Sequence, residues 1–290
     1  MTDPQPDLQR CARRLWQAVE PLHAIAYFHP EPVRALQQLG LRGFWMSYFA
    51  GRFSPLGQPP AGTVTALAYV FAPTRVERAV PDAWRFADPD QITRTWIHAA
   101  AHALRQSLPS DAERRLGQLA PLLWQPVERC HLDGRPLAAA WADIDRPDDP
   151  FASTWLAATI LREHRGDGHV LAAVHAGLTG IDAAITHAAT GAIPPTSPEH
   201  SRGWTRQQLE TSIRQLTDRG LLSPTGEITE AGQMLRARIE NDTDRLASTD
   251  LQALGSARIE EIIAISIPLS RHLYDTRTVP LHNPIGTHRP

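Results

Sequence analysis

The sequence predicts a mainly α-helical protein made of a helical N-terminal domain, a winged helix-turn-helix domain with a short β-hairpin wing, and a C-terminal helix. Three observations support this prediction. Apolar residues recur at helical intervals along most of the 290 residues. Helix-capping sequences precede several of these segments. In the C-terminal half, helical segments, a hairpin pattern and a further helical segment follow one another in the order of a winged helix.

The N-terminal half is predicted from its apolar spacing and its helix starts. The segment CARRLWQAVEPLHAIAYF (residues 11–28) has apolar residues at helical spacing, and prolines end it. SYFAGRFSPLG (residues 47–57) is predicted to be a short helix that runs into a Pro/Gly turn. The capping sequences of the whole chain are Asp88-Pro-Asp-Gln91, Ser110-x-x-Glu113 and Thr205-x-x-Gln208.

The winged helix is predicted from the segment that follows Thr205. RQQLETSIRQLTDRG and EAGQMLRARIENDTDRLA are both amphipathic helices by their spacing. Between them, Leu221-Leu222 and Glu227-Ile228 flank a Pro-Thr-Gly tip, which is the pattern of a short hairpin.

An acidic, proline-containing loop, DIDRPDDP, is the predicted boundary between the two domains. The polar, Pro-rich ends of the chain are predicted to be flexible. The predicted organisation is a tail at 1–12, a helical domain at 13–150, a winged-helix domain at 151–250, a C-terminal helix at 251–276 and a second tail at 277–290.

The stretch LREHRGDGHV (residues 161–170) places many polar residues between two apolar helical segments. One interpretation is structural: Asp167 caps a new helix, its glycine neighbours permit a sharp corner, and the flanking charges are solvated. The other is functional: His164, Arg165 and His169 line a pocket, and the start of the new helix attracts an anion. The residues alone leave both interpretations open.

Arg52 stands among apolar neighbours on the short helix that also carries Tyr48. A buried guanidinium needs a protein carboxylate or the anionic group of a ligand. We expect Arg52 to meet residues 163–169 in one pocket, in a cleft between the domains. Trp204 is expected in the core or stacked on a ligand. The predicted ligand-binding residues are Tyr48, Arg52, His164, Arg165, Asp167, His169 and Trp204.

Two sets of phrases carry a resemblance to known proteins. RGLL and TGEITEAG resemble the second half of a MarR-type winged helix. EPLHAIAYF, YFAGRFSPLG, AVPDAW, LREHRGDGHV, ITHAATG, RGWT and IENDTDRLA make the chain similar, over most of residues 13–270, to an actinobacterial family of helical proteins with a C-terminal MarR-like winged helix. The resemblance implies this fold, and the MarR likeness implies a ligand-responsive transcription regulator. It implies no particular reaction.

Composition excludes several classes of protein. All 29 basic residues are arginine, so catalysis that needs a lysine, as in PLP enzymes, P-loop NTPases and protein kinases, is excluded. Cys11 and Cys130 form no metal-binding pattern, and His98 and His102 lack an evident third ligand, so we expect no metal and no cofactor. The chain has no signal peptide and no apolar window of about 18 residues, which predicts a cytoplasmic protein that spans no membrane.

The charge balance disfavours DNA as the partner without excluding it. Residues 165–240 contain seven arginines and eight acidic residues, whereas a DNA-binding domain needs an excess of basic residues on one face. Arg206, Gln207 and Gln208 do stand at the start of the predicted recognition helix, where base contacts are made.

The function predicted first is therefore the binding, or the transformation, of a small molecule in a cleft between the two halves of a winged-helix protein that no longer serves as a DNA-binding scaffold; an anionic ligand is one possibility. Two alternatives stay open. One is a MarR-type ligand-responsive transcription regulator. The other is an enzyme without a cofactor, or with a histidine-bound metal, that uses His and Asp/Glu as acid and base. No catalytic residue is assigned, and the C-terminal helix is expected to return to the N-terminal domain or to form a homodimer.

Overall fold

The computed structural model describes residues 5–290, apart from the side chains of residues 5–7 and 250. Helices make up 71% of the chain, which confirms the mainly α prediction. The α-helices of the described part are α1 (Gln5–Phe28), α2 (Pro30–Gln38), α3 (Gly43–Phe53), α4 (Ala61–Leu67), α5 (Pro73–Glu77), α6 (Pro89–Ser107), α7 (Ala112–Val127), α8 (Pro136–Ala142), α9 (Pro150–His175), α10 (Gly180–Ala189), α11 (Ser197–His200), α12 (Arg206–Asp218), α13 (Glu230–Ser248) and α14 (Ser256–Asp275). Short 3-10 segments lie at Ser54–Leu56, Asp82–Arg85 and Thr249–Leu254.

Two of the three predicted helix starts are confirmed. Asp88 caps α6 by accepting a hydrogen bond from the Asp90 N–H at 2.9 Å, and Thr205 forms a complete capping box at α12. At the third place α7 follows Asp111, one residue later than capping by Ser110 predicts. Local capping chemistry therefore locates these helices to within a residue.

The predicted β-hairpin wing, and with it the winged-helix fold class, is wrong. Between α12 and α13 the described chain contains one isolated antiparallel bridge, from Leu222 to Ile228, and no β-strand. The Ser223 N–H donates to the Glu227 carbonyl at 2.8 Å and closes a turn. Thr229 then already caps α13. Because the two helices lie so close to the turn, too few residues remain between them to pair as strands.

The corner predicted within residues 161–170 is also wrong. α9 runs through both glycines without a break. Burial of the apolar residues on either side outweighs the low helix propensity of glycine, which is about 1 kcal/mol relative to alanine. Asp167 does not cap its own helix: its carboxylate accepts from the N–H groups of Leu137 and Ala138, both at 3.0 Å, at the start of α8.

α9 is the central element, in contact with α1, α6, α7, α8 and α13. Its first half belongs to a large hydrophobic cluster with buried Trp96, Trp141 and Trp155, and its end belongs to a smaller cluster within residues 172–239. α14 returns to the N-terminal part and packs on α1 and α7. The division into domains near residue 150 stays a proposal.

Within residues 5–290 no single helix combines the length and the hydropathy needed to cross a membrane. α9 and α10 together meet both requirements only as a pair bent by 99°.

Residues 277–290, for which the sequence predicts a flexible tail, turn back beside α14. The Asn283 side chain organises this segment, because its Nδ2 donates to the carbonyls of Pro280 and Thr287, both at 2.9 Å. Its Oδ1 accepts from the Thr287 N–H at 3.3 Å. These hydrogen bonds hold residues 285–288 against a cavity that is open to solvent on one side.

Candidate functional site

A cavity of about 560 Å³ lies along one face of α9. Arg162, Gly166, His169 and Val170 form its floor, and their spacing of three and four residues places them on one side of the helix. The walls come from α1, α3, the segment 67–71, α10, α13 and the C-terminal segment. A cavity of this size is typical of sites for small organic molecules.

The first group of charges, which we name the Arg202 cluster, consists of Arg52, Arg162, Arg202, Glu20 and Glu163. Arg52 and Glu163 form a bidentate pair, with Nε to Oε1 and Nη2 to Oε2 distances of 2.8 Å each. Arg162 donates to Glu163 at 2.8 Å and to Glu20 at 3.3 Å. Burial alone raises the pKa of Glu163, but the guanidinium groups of Arg162 and Arg52 outweigh it and hold that pKa at about 2. Both glutamates are thus committed to Arg52 and Arg162.

Arg202 has no carboxylate partner among the described residues. Its Nη2 donates to the Pro284 carbonyl at 2.5 Å, and its guanidinium lies over the Phe71 ring at 4.6 Å from the centroid. Burial lowers the pKa of Arg202 to about 10, and Arg52 and Arg162 act in the same direction. Arg202 is still a cation at neutral pH, and it makes the Arg202 cluster one charge positive.

The second group, the Arg236 cluster, consists of Arg13, Arg165, Arg236, Glu240 and Asp244. Asp244 lies 2.6 Å from Arg13 Nε and 2.8 Å from Arg165 Nη2, and Glu240 lies 3.5 Å from Arg236 Nη2. Each arginine keeps one buried guanidinium nitrogen without a hydrogen-bond partner in the described part of the chain, namely Arg13 Nη2, Arg165 Nη1 and Arg236 Nη1. Such unmade bonds are a cost to the folded state, and because protein atoms enclose these nitrogens the cost is separate from anything bound in the cavity.

His169 borders the Arg236 cluster as a neutral imidazole. Burial lowers its pKa to about 4, and burial likewise lowers the pKa of His187 to about 3. Thr243 Oγ1 lies 3.0 Å from His169 Nδ1 and donates its hydroxyl proton to the Ile239 carbonyl at 2.7 Å. We therefore assign the imidazole proton to Nδ1 and the lone pair to Nε2. His169 can accept a hydrogen bond, or a proton, at Nε2.

Much of the remaining wall is apolar or aromatic. These side chains are Trp16, Tyr48, Leu67, Tyr69, Val70, Phe71, Val170 and Ile285. Gly166 stands midway along the floor, and a Cβ added there would meet only Glu163 Oε2, at 3.5 Å. The cavity thus combines a hydrocarbon-lined space with cationic ends.

Four of the seven sequence-predicted site residues line the cavity: Tyr48, Arg52, Arg165 and His169. The other three lie elsewhere. His164 Nε2 is 3.2 Å from the His131 carbonyl, Asp167 caps α8, and Trp204 Nε1 donates to the Val70 carbonyl at 2.9 Å. Arg52 does meet the 163–169 stretch, and its partner there is a protein carboxylate, Glu163.

Sequence reasoning missed several residues of the cavity. The structural interpretation of residues 161–170 placed Arg162 in solvent, and neither interpretation gave it a place in a pocket. Arg202, Arg236, Glu240 and His187 were not predicted as site residues. Arg236 carried a usable signal, because it falls on the buried stripe of α13 with Leu235 and Ile239. Arg202, in a loop, carried none.

The outer surface of the segment 165–240 is slightly acidic. Three arginines of this segment line the cavity and add no positive charge to the outer surface, namely Arg165, Arg202 and Arg236. The exposed charged side chains are Arg206, Arg214, Arg219, Arg238, Glu199, Glu210, Asp218, Glu227 and Glu230. Four cations and five anions do not make the basic face that contacts to nucleic-acid phosphates require.

No group of three or more His, Cys, Asp or Glu side chains in the described residues is arranged to hold a metal ion. His98 and His102 are both exposed on α6.

A family model described as a helix-turn-helix family matches residues 12–280. No curated protein and no solved structure matches the chain.

Proposed function

The chain belongs to a helix-turn-helix family, and from that premise we propose that it uses its helical scaffold to bind a small organic anion in the cavity. The observation that carries the proposal is a surplus of arginine. Six arginines line the cavity, and four carboxylates pair with them. An excess of guanidinium charge inside a protein, here including Arg202 with no described carboxylate partner, costs several kcal/mol, and a bound anion would offset that cost.

The walls favour an organic anion over a simple inorganic one. Trp16, Phe71, Val70 and Ile285 present hydrocarbon surface to the cavity. Burying apolar ligand area against such walls contributes roughly 25 cal/mol per Å², while the arginines fix the position of the charged group. We propose that this binding takes place in the cytoplasm.

Calorimetric titration of the purified full chain with aliphatic and aromatic carboxylates tests the proposal. Each variant has a matched control on the same or the adjoining element. Arg236→Met and Arg202→Met remove a cavity cation and keep hydrocarbon volume. Arg238→Met and Arg206→Met remove an exposed arginine nearby.

We expect each cavity variant to weaken binding about tenfold or more, which corresponds to about 1.4 kcal/mol, and each control to bind as the parent does. Unchanged circular dichroism and cooperative melting show that a variant is folded. If no carboxylate binds to the parent chain, or if the controls lose as much affinity as the cavity variants, the proposal is wrong.

DNA binding is the second candidate function. The family match favours it, and so does the exposure of Arg206, Gln207 and Gln208 at the N-terminal end of α12. The acidic balance of the surrounding surface opposes it. Ligand-controlled binding to DNA would require both functions in one chain.

A further inference from the structure

The surplus of positive charge in the cavity is divided between two places. The Arg202 cluster contains three arginines and two glutamates. The Arg236 cluster contains three arginines, one glutamate and one aspartate. Each cluster therefore carries one guanidinium charge that no described carboxylate balances.

The two clusters lie at opposite ends of the floor. Arg162 and its partners stand at one end, and His169, which is 3.7 Å from Glu240, stands at the other. His169 follows Arg162 by seven positions on α9, which is a rise of about 10 Å at 1.5 Å per residue. The stretch of floor between them includes Gly166, which offers no side chain to fill the space.

The cations that line the cavity are divided in the same way. At one end, the Arg202 guanidinium has five N–H donors and one described acceptor, the Pro284 carbonyl. At the other end, Arg165 and Arg236 line the cavity, are each more than nine-tenths buried, and share two carboxylates with Arg13. An anion at one end would leave the positive charge at the other end unbalanced.

We infer that the ligand carries two acidic groups joined by an apolar spacer, with one acid on Arg202 and the other on Arg165 and Arg236. This inference rests on the proposed function and specifies its ligand. A ligand with one acid would neutralise one end only, whereas a dicarboxylate would neutralise both while its spacer crosses Gly166. Planar carboxylates suit guanidinium groups, which bind them through paired N–H donors.

The test compares each α,ω-dicarboxylate, from succinate to dodecanedioate, with its own monomethyl ester. The ester has the same length and one charge fewer, so the pair isolates the second acid. Affinities come from calorimetry on the full chain at constant ionic strength, because charge contacts are screened by salt. We expect affinity to pass through a maximum at one spacer length, and at least tenfold tighter binding of that diacid than of its ester.

The variants locate the two acids. In Arg202→Met and in Arg236→Met, the ratio of diacid to ester affinity should fall to about one, while the exposed controls Arg206→Met and Arg238→Met keep the parental ratio. If esters bind as tightly as diacids in the parent chain, or if affinity does not depend on spacer length, the two-acid inference is overturned and anion binding stands. If neither diacid nor ester binds, the proposed function falls with it.

Discussion

Gly166 and Gly168, in the middle of α9, are glycine for different physical reasons. A glycine in a helix interior costs about 1 kcal/mol relative to alanine. At Gly168 a Cβ would come within 2.6 Å of Arg135 Nη1, so the glycine makes room for a buried side chain. At Gly166 a Cβ would make one ordinary contact at 3.5 Å. Since Gly166 lines the cavity, its glycine keeps space for a ligand.

We expect Gly166→Ala to stabilise the protein and to weaken ligand binding. The gain in unfolding free energy should be up to about 1 kcal/mol, because alanine loses less entropy in a helix. The new methyl group should reduce the affinity of the ligand that crosses the floor. Denaturant titration and calorimetry measure the two effects. Gly117→Ala in α7, at an exposed position with nothing within 4 Å, should stabilise similarly and leave affinity unchanged.

Gly168→Val should destabilise the protein by about 1 kcal/mol or more, because its branched side chain would displace the Arg135 guanidinium. That guanidinium donates to the carbonyls of His164 and Leu246. Thermal melting checks the change. A melting temperature equal to that of the parent would show that the Arg135 side chain can move aside without a loss of stability.

Arg52→Ala should lower the unfolding free energy by about 3 kcal/mol at pH 7, since it leaves the buried Glu163 with Arg162 alone. The pKa of Glu163 lies below its usual value, so the stabilisation is complete above about pH 4.5 and is lost as pH falls towards 2. Urea titrations at several pH values measure both effects. Arg52→Ala with Glu163→Gln should recover part of the loss, because no unpaired charge is then buried. A double variant no more stable than Arg52→Ala would contradict this account.

At the scale of elements, α9 supplies the N-terminal cap that α8 lacks. α8 follows Arg135, which makes no side-chain capping bond, and Pro136 has no N–H to satisfy. The next two N–H groups of α8, from Leu137 and Ala138, both donate to one oxygen of Asp167, in the middle of α9. One helix is thus capped by the interior of another, which fixes their relative position.

We expect Asp167→Asn to flatten the pH dependence of stability in mildly acidic solution. Burial raises the pKa of Asp167 to about 6 from its usual 3.8, against the opposing effect of its N–H donors. The folded state therefore binds this proton more tightly than the unfolded state does. Stability is greatest below pH 4 and declines as pH rises to about 6, by about 3 kcal/mol at most.

Asparagine keeps an acceptor for the two N–H groups but does not titrate in this range. Unfolding free energies of the parent and of Asp167→Asn, measured between pH 4 and 8, show whether titration of Asp167 causes the pH dependence. Asp167→Ala serves as the control, because it removes the acceptor and should destabilise by about 1 kcal/mol even at pH 7. An unchanged slope in Asp167→Asn would show that another group titrates.

At the scale of the whole molecule, three of the seven arginines of the segment 165–240 are directed inward. Arg165, Arg202 and Arg236 line the cavity, whereas the exposed charges around α12 are slightly acidic in sum. Affinity for DNA depends mainly on cations that meet phosphates. The arrangement therefore suits an internal anion better than a polyanion at the surface.

We expect no sub-micromolar binding to DNA from the chain's own upstream region at about 150 mM salt, where surface charges are screened beyond about 8 Å. Gel shifts with and without the tightest-binding dicarboxylate measure this. A sequence-dependent shift at sub-micromolar protein would contradict the prediction, and its loss in Arg206→Met would assign it to α12.

Local chemistry in the sequence determined the helical character and much of the element order. The caps at Asp88 and Thr205 act within three residues, and apolar periodicity acts within a turn or two, so both can be found without knowing the fold. The same reasoning was wrong at Gly166 and Gly168. There the sequence predicts a corner, and burial on both sides keeps the helix continuous.

Only the tertiary structure decided which charged side chains are buried and what they meet. Arg52 and Glu163 are 111 positions apart, and Arg202 reaches the Pro284 carbonyl across 82. Nothing near these residues in the sequence distinguishes a buried arginine from one in solvent, because an arginine's environment is set by the elements that pack around it. The sequence by itself determined a helical protein with arginine as its sole basic side chain other than histidine, whereas packing around α9 decided that six of those arginines share one cavity.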